Sequence, residues 1–299
     1  DHHHQIDSKA TPEARTAAVT PRRLILVSEH YEPSSGATAQ LMRDLSYGLA
    51  NTGWTVIVLT ATATDSGGDT SNPCSVVRLG EQQRAADANK TVTGKTLAGL
   101  RFALACLLWC SRQSRQGDVM LIVSNPPFIG GIGPLLKWLR RLSYVFLFQD
   151  LFPRSAVLSG VLPRQGLTTQ AWQGLMQMVC EHSAATVVLN QSMARRLAGG
   201  TQRSLPLRVI HNWAIEQGSG LPRSSNQFAL EHNFQGKFTV QYSGNFGRLH
   251  DIETLIASAS ILKNAPLIQF LFIGGGVKQQ VIEEAKLNNV LLLPYQPRQ

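Results

Sequence analysis

The sequence predicts an α/β protein: doubly wound parallel sheets in two domains, the second of them incomplete. Three observations carry this. Short, continuously apolar runs of Val, Ile and Leu alternate with helical patterns, as strands buried on both faces require. A polar stretch rich in Gly, Pro and Ser, 214–236, reads as a linker between a long first series and a short second one. The 299 residues suffice for two ordinary domains, and 43% hydrophobic against 16% charged residues allows sizeable cores.

The elements follow in order. "RLILVS" (23–28) reads as a buried strand, and a loop, "EHYEPSSGATAQ", follows it. Leu41, Met42, Leu45 and Leu49 then recur at helical spacing. "WTVIVLT" (54–60) is the next strand, a glycine-rich loop spans 64–72, and "SVVRL" (75–79) is a short strand. A helix is expected over 96–115, a strand over 118–124, and a helix after the turn "NPPF". "YVFLF" (144–148), "TVVLN" and "LRVIHNW" (207–213) are strands, with helices at "TQAWQGLMQMVCEHSA" and "QSMARRLA" between them. After the linker come "KFTVQYS", a helix from about 251, "LIQFLFIG" (267–274), a helix over 277–287, and "VLLLP" (290–294). Three strands and two helices make half of a doubly wound domain. The division expected is a disordered tail or tag remnant (1–20), a first domain (21–213), the linker, and the first half of a second domain (237–299).

Charge is uneven. The chain carries +9 overall, with 19 Lys/Arg against 10 Asp/Glu over 21–213 and 6 against 4 over 236–299. A basic first domain suits an anionic partner such as phosphate, a lipid surface or nucleic acid, or it is only a solvated face. "LAGLRFALACLLWC" (97–110) and "IGPLLKWLRRLSYVFLF" (132–148) combine Trp and Leu with Arg and Lys, as a membrane-surface helix or a core helix with one wet stripe would. No clean run of about 20 apolar residues spans a membrane. The four cysteines, Cys74, Cys106, Cys110 and Cys180, form no CxxC pair, which reads as free thiols in a reducing compartment rather than a zinc site. The first residues, "DHHHQIDSKATPEARTAAVT", have no apolar segment of signal-peptide type.

Motifs narrow the chemistry. In "QYSGNFGRLHDIETLIASASIL" (241–262), Gly244 and Gly247 flank a strand-to-helix turn that Arg248 and His250 follow. Glycine lets backbone N–H groups approach a ligand, a helix N-terminus favours an anion, and Arg adds bidentate donors for phosphate. A plain tight turn with an exposed Arg would read the same. "FLFIGGGVKQQ" (270–280) repeats the theme, with Gly274, Gly275 and Lys278. No GxGxxG follows the first strand, and GxxxxGK[ST] and GxSxG are absent. Asp150 follows a buried strand, where an acid can orient or deprotonate a hydroxyl or simply close a turn. Asn125, His211 and Asn212 also sit at strand ends; Glu29 and His30 are candidate cleft residues, and His182 and His232 read as surface.

The motifs "HYEPSSGATAQLMRDLSYGLANTGWTVIVLTA", "VSNPPF", "FQDLFPRSAVLSGVL", "VIHNW", "YSGNFGRLHDIETLIASA", "FLFIGGGVKQQVIEEA" and "NVLLLPYQPR" occur in an order and spacing that resemble the retaining GT-B glycosyltransferases of family 4, in the colanic-acid and capsule-biosynthesis branch. The resemblance covers about 22–299. It implies two Rossmann-like domains, a nucleotide-sugar donor on the second and a glycan or polyprenyl-diphosphate-linked acceptor on the first. It implies transfer with retention, no metal or other cofactor, and a cytoplasmic enzyme touching the inner face of the cell membrane. By resemblance, Gly244, Gly247 and Arg248 grip the diphosphate, Lys278 is a second contact, and Gly36 lies in a first-domain loop over the phosphates. Pro294 and Tyr295 fall at the nucleobase, and Asp150 is the candidate base or orienting acid.

The sequence departs from the family in three places. Asn245 and His250 stand where many members carry Arg and Lys. Gln149-Asp150 stands where many have a His near the acceptor hydroxyl. The family's E-x7-E segment falls past residue 299, implying a parent longer by roughly 100 residues. Two alternatives remain: a sugar-nucleotide epimerase of the same fold, which needs more acids and histidines than Asp150 and His211, and a non-catalytic scaffold. A nucleic-acid binder is disfavoured, since no aromatic-basic interleaving is present.

Overall fold

A computed structural model describes residues 22–34, 36–62, 72–79, 92–201, 203–214 and 222–296. The tail expected over 1–20 and most of the glycine-rich loop at 64–72 lie outside these residues. The first sheet has seven parallel strands: β1 (Arg23–Val27), β2 (Thr55–Thr60), β3 (Ser75–Arg78), β4 (Val119–Val123), β5 (Ser143–Leu147), β6 (Ala185–Val188) and β7 (Leu207–Val209). Their spatial order is β3-β2-β1-β4-β5-β6-β7. The order reverses between β1 and β4, so this is a doubly wound sheet with its switch point there. Leu26, Val58, Ile122 and Phe146 are fully buried, which accounts for the unbroken apolar runs.

Helix α1 (Ala37–Asn51) runs back from β1 to β2, whereas α2 (Val92–Gln113) and α3 (Ile132–Arg140) lead outward to β4 and β5. Right-handed crossovers put α1 on one face and α2 with α3 on the other. Helices α2 and α3 pack together: a Cβ on Gly99 would lie 2.9 Å from the Pro126 side chain just ahead of α3. Gly133 of α3 rests on the Tyr144 ring, whose hydroxyl donates to the Val179 carbonyl at 2.7 Å. At the N-terminal ends of β1 and β4, the buried Asp118 carboxylate accepts from the Arg115 N–H at 2.8 Å and lies 3.5 Å from Arg23 Nε.

The chain divides into two compact units. One comprises the described residues up to 148 together with 179–188 and 203–209, and the other those of 149–178, 189–201 and from 210 onward. The second therefore includes α4 (Arg154–Leu158), most of α5 (Leu167–His182) and α6 (Gln191–Ala198), which precede residue 213. It also holds a three-stranded parallel sheet, β10-β9-β8, from β8 (Phe238–Asn245), β9 (Ile268–Gly275) and β10 (Val290–Leu293), with α8 (Ile252–Ile261) and α9 (Gln279–Ala285) between the strands. Phe246, Ile252, Ala259, Phe270, Phe272 and Ile282 form its core.

Two sequence expectations change. The strand expected over 207–213 stops at Val209, because β7 pairs only with β6 and that pairing ends at Val188 opposite Val209. The stretch read as a linker is partly built into the second unit. Asn226 caps α7 (Gln227–Glu231) by accepting from the Ala229 N–H at 3.1 Å, and Ala229 and Phe234 are buried with Leu271 and Ile273. His232 packs between Phe228 and Phe234 (centroids at 4.6 and 5.7 Å) rather than standing free on the surface.

Gly133→Ala places a methyl group 2.8–2.9 Å from a tethered, fully buried ring. It should cost about 1–3 kcal/mol of stability, read as a lower urea midpoint at unchanged slope. Tyr144→Phe should cost about 1 kcal/mol in the same assay.

Candidate functional site

The candidate residues lie at strand ends in each unit. In the first unit, β1 leads into a loop that ends at Gly36, the N-cap of α1. Glu32 organises this loop. Its carboxylate meets Arg43 Nε at 2.8 Å and accepts from the Tyr47 hydroxyl at 3.1 Å and from Asn72 Nδ2. Its carbonyl accepts from Arg78 Nη1 at 3.1 Å, and the same nitrogen donates to the Thr62 carbonyl at 2.8 Å. Tyr31 is fully buried, with its hydroxyl 2.6 Å from Ser46 Oγ, and burial raises its pKa. His30 lies 3.7 Å from the Glu29 carboxylate. Among the described residues the N-terminus of α1 carries no acid and no side-chain cap, and Gly36 is exposed there with Ser34 Oγ 3.7 Å from its missing Cβ. Glu32 and Arg78 were not singled out from the sequence. Nothing in an isolated "YEPS" or "VVRL" announces that they meet across 46 residues.

Asn125 follows β4 and is half-buried, joined to Pro126 by a cis peptide. In the second unit, Gln149 and Asp150 follow the end of the fifth strand. Asp150 is exposed, and its carbonyl accepts from the Phe152 N–H at 3.0 Å. Gln149 Oε1 accepts from Asn212 Nδ2 at 3.3 Å, so two predicted residues 63 positions apart do meet. His211 is exposed beside Asn212.

The glycine turns are the most constrained feature. Strand β8 runs on through Gly244 and Asn245, and β9 through Gly274 and Gly275, with Gly244 opposite Gly274. Gly274 has φ +139°, and a Cβ there would fall 1.9 Å from the Gly244 carbonyl oxygen. Gly276 has φ +147°, and its Cβ would meet Asn245 Oδ1 at 2.6 Å and the Phe246 backbone at 2.8 Å. Gly244 has φ +142° but open space around it. The two turns are laced together: Phe246 N–H donates to the Gly275 carbonyl at 2.9 Å, and Lys278 N–H to the Phe246 carbonyl at 3.1 Å. The Phe246 side chain is fully buried, edge-on to Phe272 at 6.3 Å. It anchors the turn, a role that the glycines around it obscured in the sequence.

Side chains complete the picture. The Asn245 carbonyl accepts from the Tyr242 hydroxyl at 3.0 Å and lies 2.7 Å from His250 Nδ1, which itself touches the Tyr242 hydroxyl. His250 is thus a brace for the turn. Lys278 Nζ donates to Glu253 at 2.8 Å and to the His250 carbonyl at 2.7 Å. Its charge is engaged within the protein rather than held out for a second phosphate contact. Asp251 occupies the N-terminus of α8, accepting from the Thr254 N–H at 3.1 Å and hydroxyl at 2.7 Å. The helix end that the sequence reading offered to an anion already has one. What stays open is the turn itself. Arg248 is exposed, and among the described residues nothing engages its guanidinium or the N–H groups of Gly247 and Arg248. Two consecutive open amides beside a guanidinium make an anion-binding concavity. Tyr295 and Pro294 are exposed at the end of β10, and the Tyr295 hydroxyl is 3.4 Å from the Gly275 carbonyl. No three His, Cys, Asp or Glu side chains converge as a metal site among the described residues.

A doubly wound parallel sheet in one unit and a parallel sheet with glycine turns at its strand ends in the other place this chain among the α/β folds whose ligand sites, where they have one, lie at the strand ends. Residues 36–213, more than half of the chain, match the model of the glycosyl transferase 4-like domain, and the chain belongs to that family. A Pseudomonas aeruginosa protein described as probable glycosyltransferase WbjE is 29% identical over 178 residues, which is 58% of this chain and 44% of that protein. The chain thus spans less than half the length of this curated relative. Among solved structures, sucrose-phosphate synthase from Thermosynechococcus elongatus matches with a TM-score of 0.66 at 16% identity, covering 92% of this chain and 71% of that one. Anabaena HepE in complex with UDP and glucose matches at 0.61 and 11%, covering 92% and 70%. At such identities the likeness is one of fold, and that fold is GT-B.

Two outcomes test this geometry. Gly274→Ala should cost at least about 3 kcal/mol, because strain and a backbone clash add, whereas Gly244→Ala should cost only about 1–3 kcal/mol of strain. Hydrogen exchange along β8 and β9 would separate them. The Lys278 ammonium holds the Glu253 carboxyl below the usual glutamate range. A depressed folded-state pKa stabilises the fold above the unfolded pKa, and that contribution disappears as pH falls through the folded one. Lys278→Met should move the Glu253 titration midpoint upward in a carbon-detected NMR titration.

Proposed function

We propose that this chain is the acceptor domain and part of the donor domain of a retaining glycosyltransferase. The enzyme moves a hexosyl or N-acetylhexosaminyl group from a nucleotide-sugar to a lipid-linked or polysaccharide acceptor in surface-polysaccharide synthesis. Membership of the glycosyl transferase 4-like family supports the reaction class. The observation that carries the donor assignment is the open turn at Phe246–Arg248. Its two N–H groups and guanidinium, without a partner among the described residues, suit a diphosphate, whose negative charge grows as the sugar leaves. The rigid glycine contact beneath sets those donors in place before the ligand arrives, so little reorganisation accompanies charge development. HepE, of the same fold, was solved with UDP and glucose, which supports a uridine nucleotide as the first donor to try.

In this reading the His250 and Tyr242 brace holds the Asn245 carbonyl, keeping the turn's amides pointed outward. Lys278 acts through Glu253 and the His250 carbonyl, as a positioning residue. Asp150, exposed after the fifth strand, is the acid that orients or deprotonates the acceptor hydroxyl. Tyr295 lies next to the Gly275 carbonyl, where it offers a ring to the nucleobase.

The experiment is calorimetric titration of UDP, GDP and UDP-N-acetylhexosamines into this chain and into a version extended through a full second domain. Arg248→Ala should weaken diphosphate binding by about 10- to 100-fold, the loss of charge-assisted hydrogen bonds, without lowering the thermal midpoint. If the extended protein bound no nucleotide, the transferase reading would fall and a scaffold that keeps only the fold would replace it.

A further inference from the structure

We propose that the loop after β1 is a preformed platform for a saccharide hydroxyl, with His30 as its contact residue and Glu32 as the residue that positions it. The inference rests on the assignment of the acceptor to the first domain. The loop leaves β1 at the switch point between β1 and β4, the place at which open α/β sheets take their ligands. Its backbone is pinned on both sides of His30. The Glu29 carbonyl accepts from the Thr60 hydroxyl at 3.0 Å and from the Ala61 N–H at 3.2 Å. The His30 carbonyl accepts from the Ser28 hydroxyl at 2.8 Å, and the Tyr31 N–H donates to Thr62 Oγ1 at 3.1 Å. The Tyr31 ring that follows is fully buried. Between these anchors the imidazole of His30 is 48% exposed. A fixed backbone that holds one side chain out is preorganised for contact, because little further freedom is lost when a ligand arrives.

Glu32 extends the pinning to α1. Arg43 and Tyr47, about one helical turn apart, both reach its carboxylate. Asn72 adds a third donor, and its own Oδ1 accepts from the Cys74 N–H at 2.8 Å, which fixes that amide in turn. An ion pair with a half-exposed arginine adds little stability. Three donors converging on one carboxylate instead hold a single geometry, two residues from His30. Charge then selects the ligand. The Glu29 carboxylate, mostly buried, lies 3.7 Å from His30 Nε2. A negative group so close disfavours phosphate. A neutral hydroxyl suits the pair, since it both donates and accepts: it can give its proton to one member and take a hydrogen bond from the other.

The test has two arms. On this chain, amide hydrogen exchange over 29–34 should be at least about tenfold faster in Glu32→Gln than in the wild type, with β1, β2 and β4 unchanged. His30→Ala should leave that exchange near the wild-type rate. On the version extended through a full second domain, transfer from UDP-N-acetylhexosamine to a short polyprenyl-diphosphate-linked N-acetylhexosamine is followed. His30→Ala should lower kcat/KM for the acceptor by about 10- to 100-fold with the donor KM unchanged. Glu32→Gln should act in the same direction to a smaller extent. The double variant should be no worse than His30→Ala, because Glu32 acts through His30. Should Glu32→Gln fail to fold, Arg43→Gln removes the same tie from an exposed partner. Wild-type acceptor kinetics in His30→Ala, additive losses in the double variant, or exchange that speeds equally through the strands would each overturn the proposal. An extended wild type without turnover removes the transferase reading instead, and the exchange result then decides the role of Glu32.

Discussion

The close approach of two strand ends is the constraint on which the second unit's site depends. A Cβ at Gly274 would fall 1.9 Å from the Gly244 carbonyl oxygen, so the backbones of β8 and β9 touch where side chains would normally keep them apart. That contact lets Phe246 N–H reach the Gly275 carbonyl and lets Gly276 slide beneath Asn245. The turn between them then has its hydrophobic residue in the core, and its next two amides have no partner among the described residues. Glycine is needed here for space as well as for positive φ, and the open amides are a by-product of the crowding.

The first unit solves a similar problem with side chains. The loop after β1 is long and irregular, yet Glu32 gathers Arg43, Tyr47 and Asn72 on its carboxylate and Arg78 on its carbonyl. These partners come from α1, from the approach to β3 and from β3 itself, so the loop is tied to three neighbouring segments. Tyr31 adds a buried anchor next to Glu32. A loop so fastened can present the exposed N-terminus of α1 without being covered, because its own polar groups are satisfied from behind.

Much of the architecture was legible in sequence because strands buried on both faces must be continuously apolar, and the helices between them must show one apolar side. The runs at 23–28, 54–60 and 118–124 therefore became strands within a residue or two. Less was legible where pairing decides the outcome. "LRVIHNW" is apolar and β-branched enough for a seven-residue strand, but its one neighbour ends early, so His211 and Asn212 fall beyond it. "FALEHNF" looks polar in a linear reading, yet Ala229 and Phe234 pack on β9 and β10. Lys278 and Arg248 look equivalent as basic residues after glycine turns. Only the fold shows that the first is held by Glu253 while the second is exposed, with no partner among the described residues.

The sequence by itself determined the fold class, the strand order in time, the glycine turns and the basic excess of the first domain. Each of these is written in local pattern or composition, which a linear chain displays directly. The tertiary structure decided which of those charges are spent. It joined Lys278 to Glu253 across 25 residues and placed Asp251 on its own helix end. It also turned the leucines of α2 to the outside while its cysteines went in. Whether a polar group is already satisfied depends on what folding brings beside it, and separation along the chain carries no record of that.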